Sequence, residues 1–178
     1  MILALVGYSK VGKDTLCDQL QNFTQVAFAD VLKQEVTMML KAVGIEVDLW
    51  GADKEEWRDT LVHWGRKRRS MDRDYWIKQL YLRHAETLNK GRACLTDLRY
   101  LNEQRWVKSQ DGLIIGIERP GYGPANEEEA FSIRELRIQC PEIPWIINDG
   151  NPRDLELQAR SILKEYWARR TSNSVIDN

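Results

Sequence analysis

The sequence predicts an α/β fold with about five parallel strands and helices on both faces of the sheet. Short apolar runs recur along the chain, beginning with Ile2-Leu3-Ala4-Leu5-Val6, and such runs are typical of strands buried on both faces. Segments with apolar residues at helical spacing separate these runs, as expected for a parallel sheet. A glycine-containing turn, Gly7-Tyr8-Ser9-Lys10-Val11-Gly12-Lys13, joins the first run to the first helical segment.

The sequence also predicts four further strands and four further helices, two of which begin with recognisable start signals. Asp30 is the expected cap of a helix that ends at Gly44. Asn151 followed by Pro152 starts the last helix, because Pro is favoured at the first helical position. The other strands are predicted at 26–29, 93–96, 113–117 and 145–147, and the other helices at 53–61 and 74–91.

Size and composition predict one domain over residues 1–170 and a flexible tail at 171–178. The chain has 178 residues, of which 43% are hydrophobic and 30% charged, as is typical of soluble globular proteins. The net charge of −1 does not favour nucleic-acid binding, and no apolar run approaches the ~20 residues of a membrane span. Because no export signal is recognisable, we expect a cytoplasmic protein whose partners are neither nucleic acids nor membranes.

The cysteine and tryptophan contents add two expectations. Cys17, Cys94 and Cys140 are odd in number and widely separated, which favours buried thiols in a reducing compartment over disulfides or a zinc site. The 7 Trp residues are compatible with a homodimer interface, and equally with core packing or base stacking.

The turn after the first strand has the pattern G-x-x-x-x-G-K of a phosphate-binding loop. Its glycines let backbone N–H groups turn toward phosphates, and the helix N-terminus and Lys13 add positive charge. The order of strand, loop and helix is the context that this motif requires, so the sequence predicts the three-layer P-loop NTPase fold. The loop residues expected at ATP are Gly7, Ser9, Lys10, Gly12, Lys13, Asp14 and Thr15.

Two carboxylates are candidate Mg²⁺ ligands. Asp14 stands where the motif usually has Ser or Thr, and a hard oxygen ligand there suits Mg²⁺; the alternative is an acid that favours the helix dipole. Asp97 ends the third strand. Its carboxylate is expected to bind Mg²⁺ or a water, or to act as a base, and the alternative is that it caps a helix. Arg99, two residues further on, is expected to contact a phosphate rather than to form a surface ion pair.

Two segments do not fit the alternation of strands and helices. Residues 45–73 contain the basic block Arg66-Lys67-Arg68-Arg69, and residues 119–142 contain the acidic run Glu127-Glu128-Glu129. Because ligands of open α/β sheets bind near the carboxyl ends of the strands, we expect an acceptor-binding insertion at 45–73 and a lid at 119–142. An acceptor that is itself a phosphate would need Mg²⁺ and several arginines to offset the repulsion between two anions.

Arginines and aromatic residues supply the other candidate contacts. The arginines of the basic block would bind the acceptor phosphate or close over the donor; a solvated basic face is the alternative. The lid arginines would stabilise the transferring phosphoryl group, or pair with the acidic run and Glu135. One aromatic residue beside the block would stack on a base, although core packing is the better interpretation for Trp76. The lid arginines are Arg119, Arg134 and Arg137, and the aromatic residues are Trp64, Tyr75 and Trp76.

Six further motifs follow the loop residues Gly12-Lys13-Asp14-Thr15. They are Phe28-Ala29-Asp30-x-Leu32-Lys33, Arg58-x-x-Leu61-x-x-Trp64-Gly65, Asp72-x-Asp74-x-Trp76, Thr96-Asp97-Leu98-Arg99-x-x-Asn102-Glu103, Glu118-Arg119-Pro120-Gly121 and Ile147-Asn148-Asp149-Gly150. Taken in order, from residue 2 to about 165, they resemble the deoxynucleoside monophosphate kinase family of tailed bacteriophages. The loop alone is shared by many NTPases, whereas the combination is more specific.

The resemblance implies transfer of the γ-phosphate of ATP to a deoxynucleoside 5′-monophosphate with Mg²⁺, in the host cytoplasm if a phage encodes the chain. By position it implies Asp30 and Lys33 near the acceptor nucleotide. It implies an acceptor or transfer site lined by Arg58, Arg69, Asp97, Arg99 and Glu103. We add Arg66 and Trp76 as substrate-binding candidates and Arg119 as an ATP-binding one. The catalytic candidates are Lys13, Asp97, Arg99, Arg134 and Arg137.

Departures from the family pattern fall in the acceptor and lid regions. Leu61-Val62 and Trp64-Gly65-Arg66 replace the usual pairs, and Ser132 and Glu135 stand in the lid without the usual His. A kinase of another phosphorylated small molecule is therefore the close alternative, because animal-type phosphomevalonate kinases also combine a Gly-Lys-Asp loop with an Asp-x-Arg strand end. A nucleotide-binding switch or assembly protein with little turnover is the alternative from another class, and a nucleic-acid module is third.

Overall fold

The computed structural model describes residues 1–173, which form two compact units. Unit 1 comprises Met1–Gln25 and the chain from Thr87 onward, and unit 2 comprises Val26–Glu86. Of the predicted tail, residues 171–173 belong to the last helix, and residues 174–178 lie outside the described part. Among the described helices, none combines the length and the apolar character needed to cross a bilayer.

Unit 1 is built on a five-stranded sheet with the order β2-β3-β1-β4-β5. Strand β1 pairs in parallel with β3 on one side and β4 on the other, and β4 pairs in parallel with β5. The continuous apolar sequence of β1 follows from its central place, and the predicted α/β fold with five parallel strands is confirmed. The strands are β1 (Leu3–Val6), β2 (Thr24–Val26), β3 (Ala93–Leu95), β4 (Leu113–Glu118) and β5 (Trp145–Ile147).

Seven helices are described. They are α1 (Lys13–Gln19), α2 (Phe28–Ala42), α3 (Arg58–Met71), α4 (Tyr75–Asn89), α5 (Leu101–Ser109), α6 (Glu127–Gln139) and α7 (Pro152–Asn173). On one face of the sheet, Leu5 and Ile115 join Leu16 of α1 and Leu155 of α7 in one core cluster. Alternate strand residues such as Ile114 point to the opposite face and are also buried, so the sheet is covered on both sides.

A polar network ties together the three helices of unit 2. The carboxylate of Glu35 on α2 accepts hydrogen bonds from Trp64 Nε1 (2.9 Å) and Arg68 Nε (2.6 Å) on α3, and from the Tyr75 hydroxyl (2.7 Å) on α4. Burial opposes ionisation of Glu35, but the bonds from Tyr75, Arg68 and Trp64 together outweigh it and lower the pKa of Glu35.

The predicted second strand, at 26–29, is wrong. Strand β2 covers Thr24–Val26 and α2 begins at Phe28, so that Asp30 lies in the first turn of the helix rather than at its cap. The apolar run contains the end of a strand and the start of a helix, and a run of this length does not distinguish the two. The predicted helix at 53–61 is also displaced, because α3 begins only at Arg58.

Two helices of the structure were not predicted from the sequence, whereas the state of the cysteines was. The sequence did not predict α5 or α6, and α6 occupies much of the predicted lid segment 119–142. Its first residues are the acidic run, whose charges favour a helix N-terminus, and Asn126 caps it by accepting a hydrogen bond from the Glu129 N–H (2.9 Å). The three cysteines are free and buried, as predicted.

Candidate functional site

The loop between β1 and α1 has a backbone that only glycine allows at two positions. Gly7 has φ 153°, and a Cβ there would lie 2.4 Å from the carbonyl oxygen of Ile117 on β4. Gly12 has φ 106°, and a Cβ there would lie 2.5 Å from Asn148 Nδ2. The motif glycines are therefore required both by the turn and by the close approach of β4 at Gly7 and of the Asn148 side chain at Gly12.

Lys13, the first residue of α1, folds back over the loop. Its ammonium group donates to the carbonyl oxygens of Gly7 (2.8 Å) and Tyr8 (2.6 Å). Burial and then the nearby guanidinium of Arg99 lower the pKa of Lys13 from its usual value. A bound phosphate would supply the negative charge that favours the ammonium form.

Asp14 follows Lys13 and is held in one orientation by a glutamine. The amide Nε2 of Gln25 on β2 donates both to Asp14 Oδ1 (2.9 Å) and to the hydroxyl of Thr96 (3.1 Å). After Glu129, the carboxylates of Asp14 and Asp97 act to raise the pKa of Lys13, against the lowering by burial and Arg99. These carboxylates are hard oxygen ligands of the kind that suits Mg²⁺.

Arg99 is joined to a buried carboxylate that the sequence did not single out. Its Nη2 lies 3.1 Å from Oε1 of Glu129, a residue only 1% exposed in the first turn of α6. The other carboxylate oxygen of Glu129 accepts from the Ala125 N–H (2.7 Å). Glu129 stands three positions after Asn126, the spacing of a capping box, and that spacing was the available signal.

Glu103, a predicted acceptor contact, shapes the loop that carries Arg99. Its Oε2 accepts from the backbone N–H groups of Arg99 (2.9 Å) and Tyr100 (3.1 Å) at the start of α5. The side chain is buried, and these bonds account for part of its hydrogen-bonding capacity. The role of Glu103 in substrate binding stays a prediction.

The three lid arginines have different surroundings. Arg119 stacks on Tyr122, with its guanidinium carbon 4.4 Å from the ring centroid. Arg137 forms an ion pair with Glu118 and lies 3.7 Å above the Trp145 ring, so it is engaged at the ends of β4 and β5. Arg134 is exposed one turn before Arg137 on α6. A catalytic role for Arg134 or Arg137 stays a prediction.

A cavity of about 320 Å³ opens beside the loop in unit 1, at the lower end of the range for small-molecule sites. It brings together six of the predicted ATP contacts and four residues that lie near the carboxyl end of β5 and in α7. The six are Lys10, Gly12, Lys13, Asp14, Thr15 and Arg119, and the four are Asn148, Gly150, Pro152 and Leu155.

Asn148, which directly follows β5, holds the loop by a side-chain hydrogen bond and was not among the predicted site residues. Its side-chain N–H donates to the carbonyl oxygen of Val11 (2.8 Å), and its side-chain oxygen accepts from the Gly150 N–H (2.9 Å). A buried amide with both ends satisfied cannot move without leaving polar groups unpaired. The sequence signals were its position directly after a predicted strand and its place in the motif Ile147-Asn148-Asp149-Gly150.

The predicted substrate-binding residues of unit 2 divide into three groups. Asp30 and Lys33 form an ion pair (3.5 Å) that also involves Trp50. Arg58 forms two hydrogen bonds to the exposed carboxylate of Glu55 (2.9 and 2.6 Å). Arg66, Arg69 and Trp76 complete the set: Arg66 is exposed, Arg69 is partly buried beside Gly65, and Trp76 is buried and donates to the Gly65 carbonyl (3.2 Å).

Comparison with known proteins gives little beyond the fold. No protein-family model matches the chain, and no curated protein sequence matches it. Among solved structures, that of shikimate kinase from Aquifex aeolicus is similar to it, with 12% sequence identity and a TM-score of 0.49 over 93% of this chain and 97% of that chain. At these values the function has to be argued from the residues themselves.

Proposed function

We propose that the chain is an ATP-dependent kinase that transfers a phosphoryl group to a deoxynucleoside 5′-monophosphate. The observation that carries the proposal is the phosphate-binding loop, which is closed around Lys13 and opens on the cavity of about 320 Å³. The acceptor is chosen because of the resemblance of the ordered motifs to the bacteriophage kinases.

ATP would occupy the loop and the cavity beside it. Backbone N–H groups at the start of α1 and the ammonium group of Lys13 would hold the phosphates. The rest of the cavity wall, which includes Arg119, Pro152 and Leu155, offers a guanidinium plane and apolar surface for the base and ribose. Such a combination of apolar wall and a few polar groups is typical of cofactor sites.

Asp14 and Asp97 would hold Mg²⁺. In nucleotide sites Mg²⁺ usually takes one or two protein carboxylates, with phosphates and water as its other ligands. Among the described residues, no three His, Cys, Asp or Glu side chains form a group that could hold a metal ion by themselves. When bound, the ion would neutralise charge on the donor phosphates.

Arg99 would contact the acceptor phosphate or the transferring group. A guanidinium carries five N–H donors, so the bond to Glu129 orients the side chain and leaves donors for phosphate oxygens. The side chain of Arg99 is partly exposed, whereas that of Glu129 is buried. The other residues proposed to bind the acceptor are Asp30, Lys33, Arg58, Arg66 and Arg69.

The transfer forms a bond between an acceptor phosphate oxygen and the γ-phosphorus of ATP. The bond from that phosphorus to the β–γ bridging oxygen breaks, and ADP leaves. Because an ionised phosphate is already nucleophilic, the scheme needs no general base, and Asp97 serves the metal. Lys13, Arg99 and the lid arginines would stabilise the transferring group, and closure of residues 119–142 would exclude water.

The test is ATP-to-ADP turnover with each deoxynucleoside monophosphate in turn, with phosphomevalonate and with no acceptor. The Lys13→Ala variant serves as the blank, and its thermal unfolding shows whether it folds. We expect turnover that requires a deoxynucleotide and falls by about 100-fold or more in Lys13→Ala.

Two other results would each replace the proposal. Turnover with phosphomevalonate but not with deoxynucleotides would make the chain a kinase of another phosphorylated small molecule. Tight ATP binding that no acceptor converts into turnover would favour a nucleotide-binding switch.

A further inference from the structure

Trp50 lies in the segment between α2 and α3 and displays a large aromatic ring to solvent. The side chain is 48% exposed, whereas the preceding residue, Leu49, is fully buried. Exposing an indole forfeits more burial free energy than exposing a leucine, so this arrangement is unfavourable unless the ring has another partner.

The ring is held in place by two residues predicted to contact the acceptor. The indole N–H donates to Asp30 Oδ1 (2.8 Å), and Lys33 Nζ lies 5.4 Å from the ring centroid. Lys33 and Asp30 are themselves 3.5 Å apart, so the carboxylate links the ammonium group and the indole. The three side chains form one cluster, which we call the Trp50 cluster.

The backbone that carries Trp50 is also fixed. The carboxylate of Asp48 accepts from the N–H groups of Trp50 (3.1 Å) and Gly51 (3.0 Å), and Asp53 accepts from the N–H of Asp48 (2.7 Å). A Cβ at Gly51 would lie 2.2 Å from Asp48 Oδ2, so a side chain there would displace the carboxylate that holds the turn. An exposed ring on a rigid turn pays little ordering entropy when a ligand stacks on it.

We infer that Trp50 is the platform on which the base of the acceptor nucleotide stacks. The inference rests on the proposed function and adds the residue that recognises the base. A flat, exposed and immobilised indole suits a nucleobase, because every base has a π-face that can stack. Because stacking itself tolerates different bases, Trp50 should contribute to the affinity for deoxynucleoside monophosphates of different base.

The chain supplies a matched control in Trp167. This residue is also 48% exposed, but it lies on α7 in unit 1, where it packs edge-to-face against Tyr166 (5.7 Å between centroids). Substituting it removes an equally exposed indole outside the Trp50 cluster.

The experiment measures the affinity of wild type, Trp50→Leu, Trp50→Phe and Trp167→Leu for two deoxynucleoside monophosphates of different base and for 2-deoxyribose 5-phosphate, by calorimetry. We expect Trp50→Leu to lose about 10- to 100-fold in affinity for both nucleotides and to bind the baseless phosphate as wild type does. Trp50→Phe keeps most of the affinity because it keeps a stacking ring, and Trp167→Leu changes nothing. Thermal unfolding of each variant shows that it is folded.

Three results would overturn the inference. If Trp50→Leu and Trp167→Leu bind the nucleotides equally well, or if Trp50→Leu weakens the baseless phosphate as much as the nucleotides, Trp50 does not stack on the base, and the proposed kinase activity is unaffected. If wild type binds no nucleoside monophosphate, the proposed function fails together with the inference.

Discussion

The phosphate-binding loop of unit 1 and helix α3 of unit 2 both carry positive charge, but they are built in opposite ways. In the loop the backbone is decisive, because Gly7 and Gly12 leave no room for a Cβ and Lys13 binds carbonyl oxygens five and six residues before it. Arg68 of α3, by contrast, depends on a partner that is distant in sequence, because Glu35 lies 33 residues earlier.

Consecutive charged residues on a helix therefore need not belong to one binding site. Within the basic block, Arg68 is committed to Glu35 and lies between the Trp64 and Tyr75 rings, at 4.8 Å from each centroid, while Arg66 is exposed. The backbone conformation of the loop follows from its glycines, which the sequence displays. The charged residues of a helix can be assigned separate roles only after the structure shows the partner of each one.

The largest expected effect comes from Gly12→Ala. Its Cβ would meet Asn148 Nδ2 at 2.5 Å, so either the loop or the amide must move, and we expect ATP affinity to fall by more than about 100-fold. The control is Gly44→Ala, which also has a positive φ (81°) but has nothing within 4 Å of the added carbon. Chemical unfolding should show Gly12→Ala losing about 1–3 kcal/mol more than Gly44→Ala. Normal ATP binding by Gly12→Ala would contradict the role given to the Asn148 contact.

Arg68→Met tests the opposite construction in unit 2. It leaves the partly buried carboxylate of Glu35 without its charged partner, and we expect a loss of about 1–3 kcal/mol in the free energy of unfolding. Arg66→Met, an exposed change on the same helix, should cost less than about 0.5 kcal/mol. Equal losses in urea titrations of the two variants would show that the Glu35 network does not set the stability of α3.

Gln25→Leu tests whether the loop also depends on a side chain from outside it. Gln25 orients the Asp14 carboxylate, so its loss should weaken Mg²⁺ by about 10-fold while the folded state persists. Mn²⁺ binding to the ATP complex, followed by electron paramagnetic resonance, measures this directly, with Gln21→Leu at an exposed position as the control. Unchanged Mn²⁺ affinity would show either that Asp14 is not a metal ligand or that Gln25 is not needed to orient it.

Acid titration of stability separates Glu35 from the other carboxylates. Because its pKa is lowered in the folded state, Glu35 stabilises the protein above the ordinary Glu value of roughly 4.3, and this contribution disappears as the pH falls through the lower, folded-state pKa. Glu35→Gln should therefore lower stability at pH 7 and reduce the loss of stability as the pH falls from the ordinary Glu value through the lower, folded-state pKa. Parallel curves for wild type and Glu35→Gln would show that the network does not depend on ionised Glu35.

The sequence predicted those parts of the molecule that depend on local pattern. Apolar runs predicted the strands β1, β3, β4 and β5. The G-x-x-x-x-G-K spacing predicted the loop, with its glycines and Lys13. The start of α2 was misplaced because an apolar run covers the end of β2 and the first turn of the helix. Local pattern carries no information on which of two apolar elements a residue joins.

The missed site residues depend on long-range contacts. Asn148 bonds to Val11 across 137 positions, and Glu129 pairs with Arg99 across 30. Trp50, which we propose to stack on the base, contacts Asp30, 20 positions away, and Lys33. None of these relations has a spacing that a single sequence displays, so they needed the three-dimensional structure.

The smallest effect on stability is expected at Arg58. Because stability hardly changes there, any effect of the substitution on acceptor binding can be measured separately. Its hydrogen-bonded pair with Glu55 is exposed, so Arg58→Ala and Glu55→Ala should each change the free energy of unfolding by less than about 0.5 kcal/mol. Both variants remove the same pair, but only Arg58→Ala removes the guanidinium. If Arg58 contacts the acceptor phosphate, steady-state kinetics should show a raised acceptor KM in Arg58→Ala alone. Equal KM values would place Arg58 with the solvated charges of α3 and leave acceptor binding to other residues.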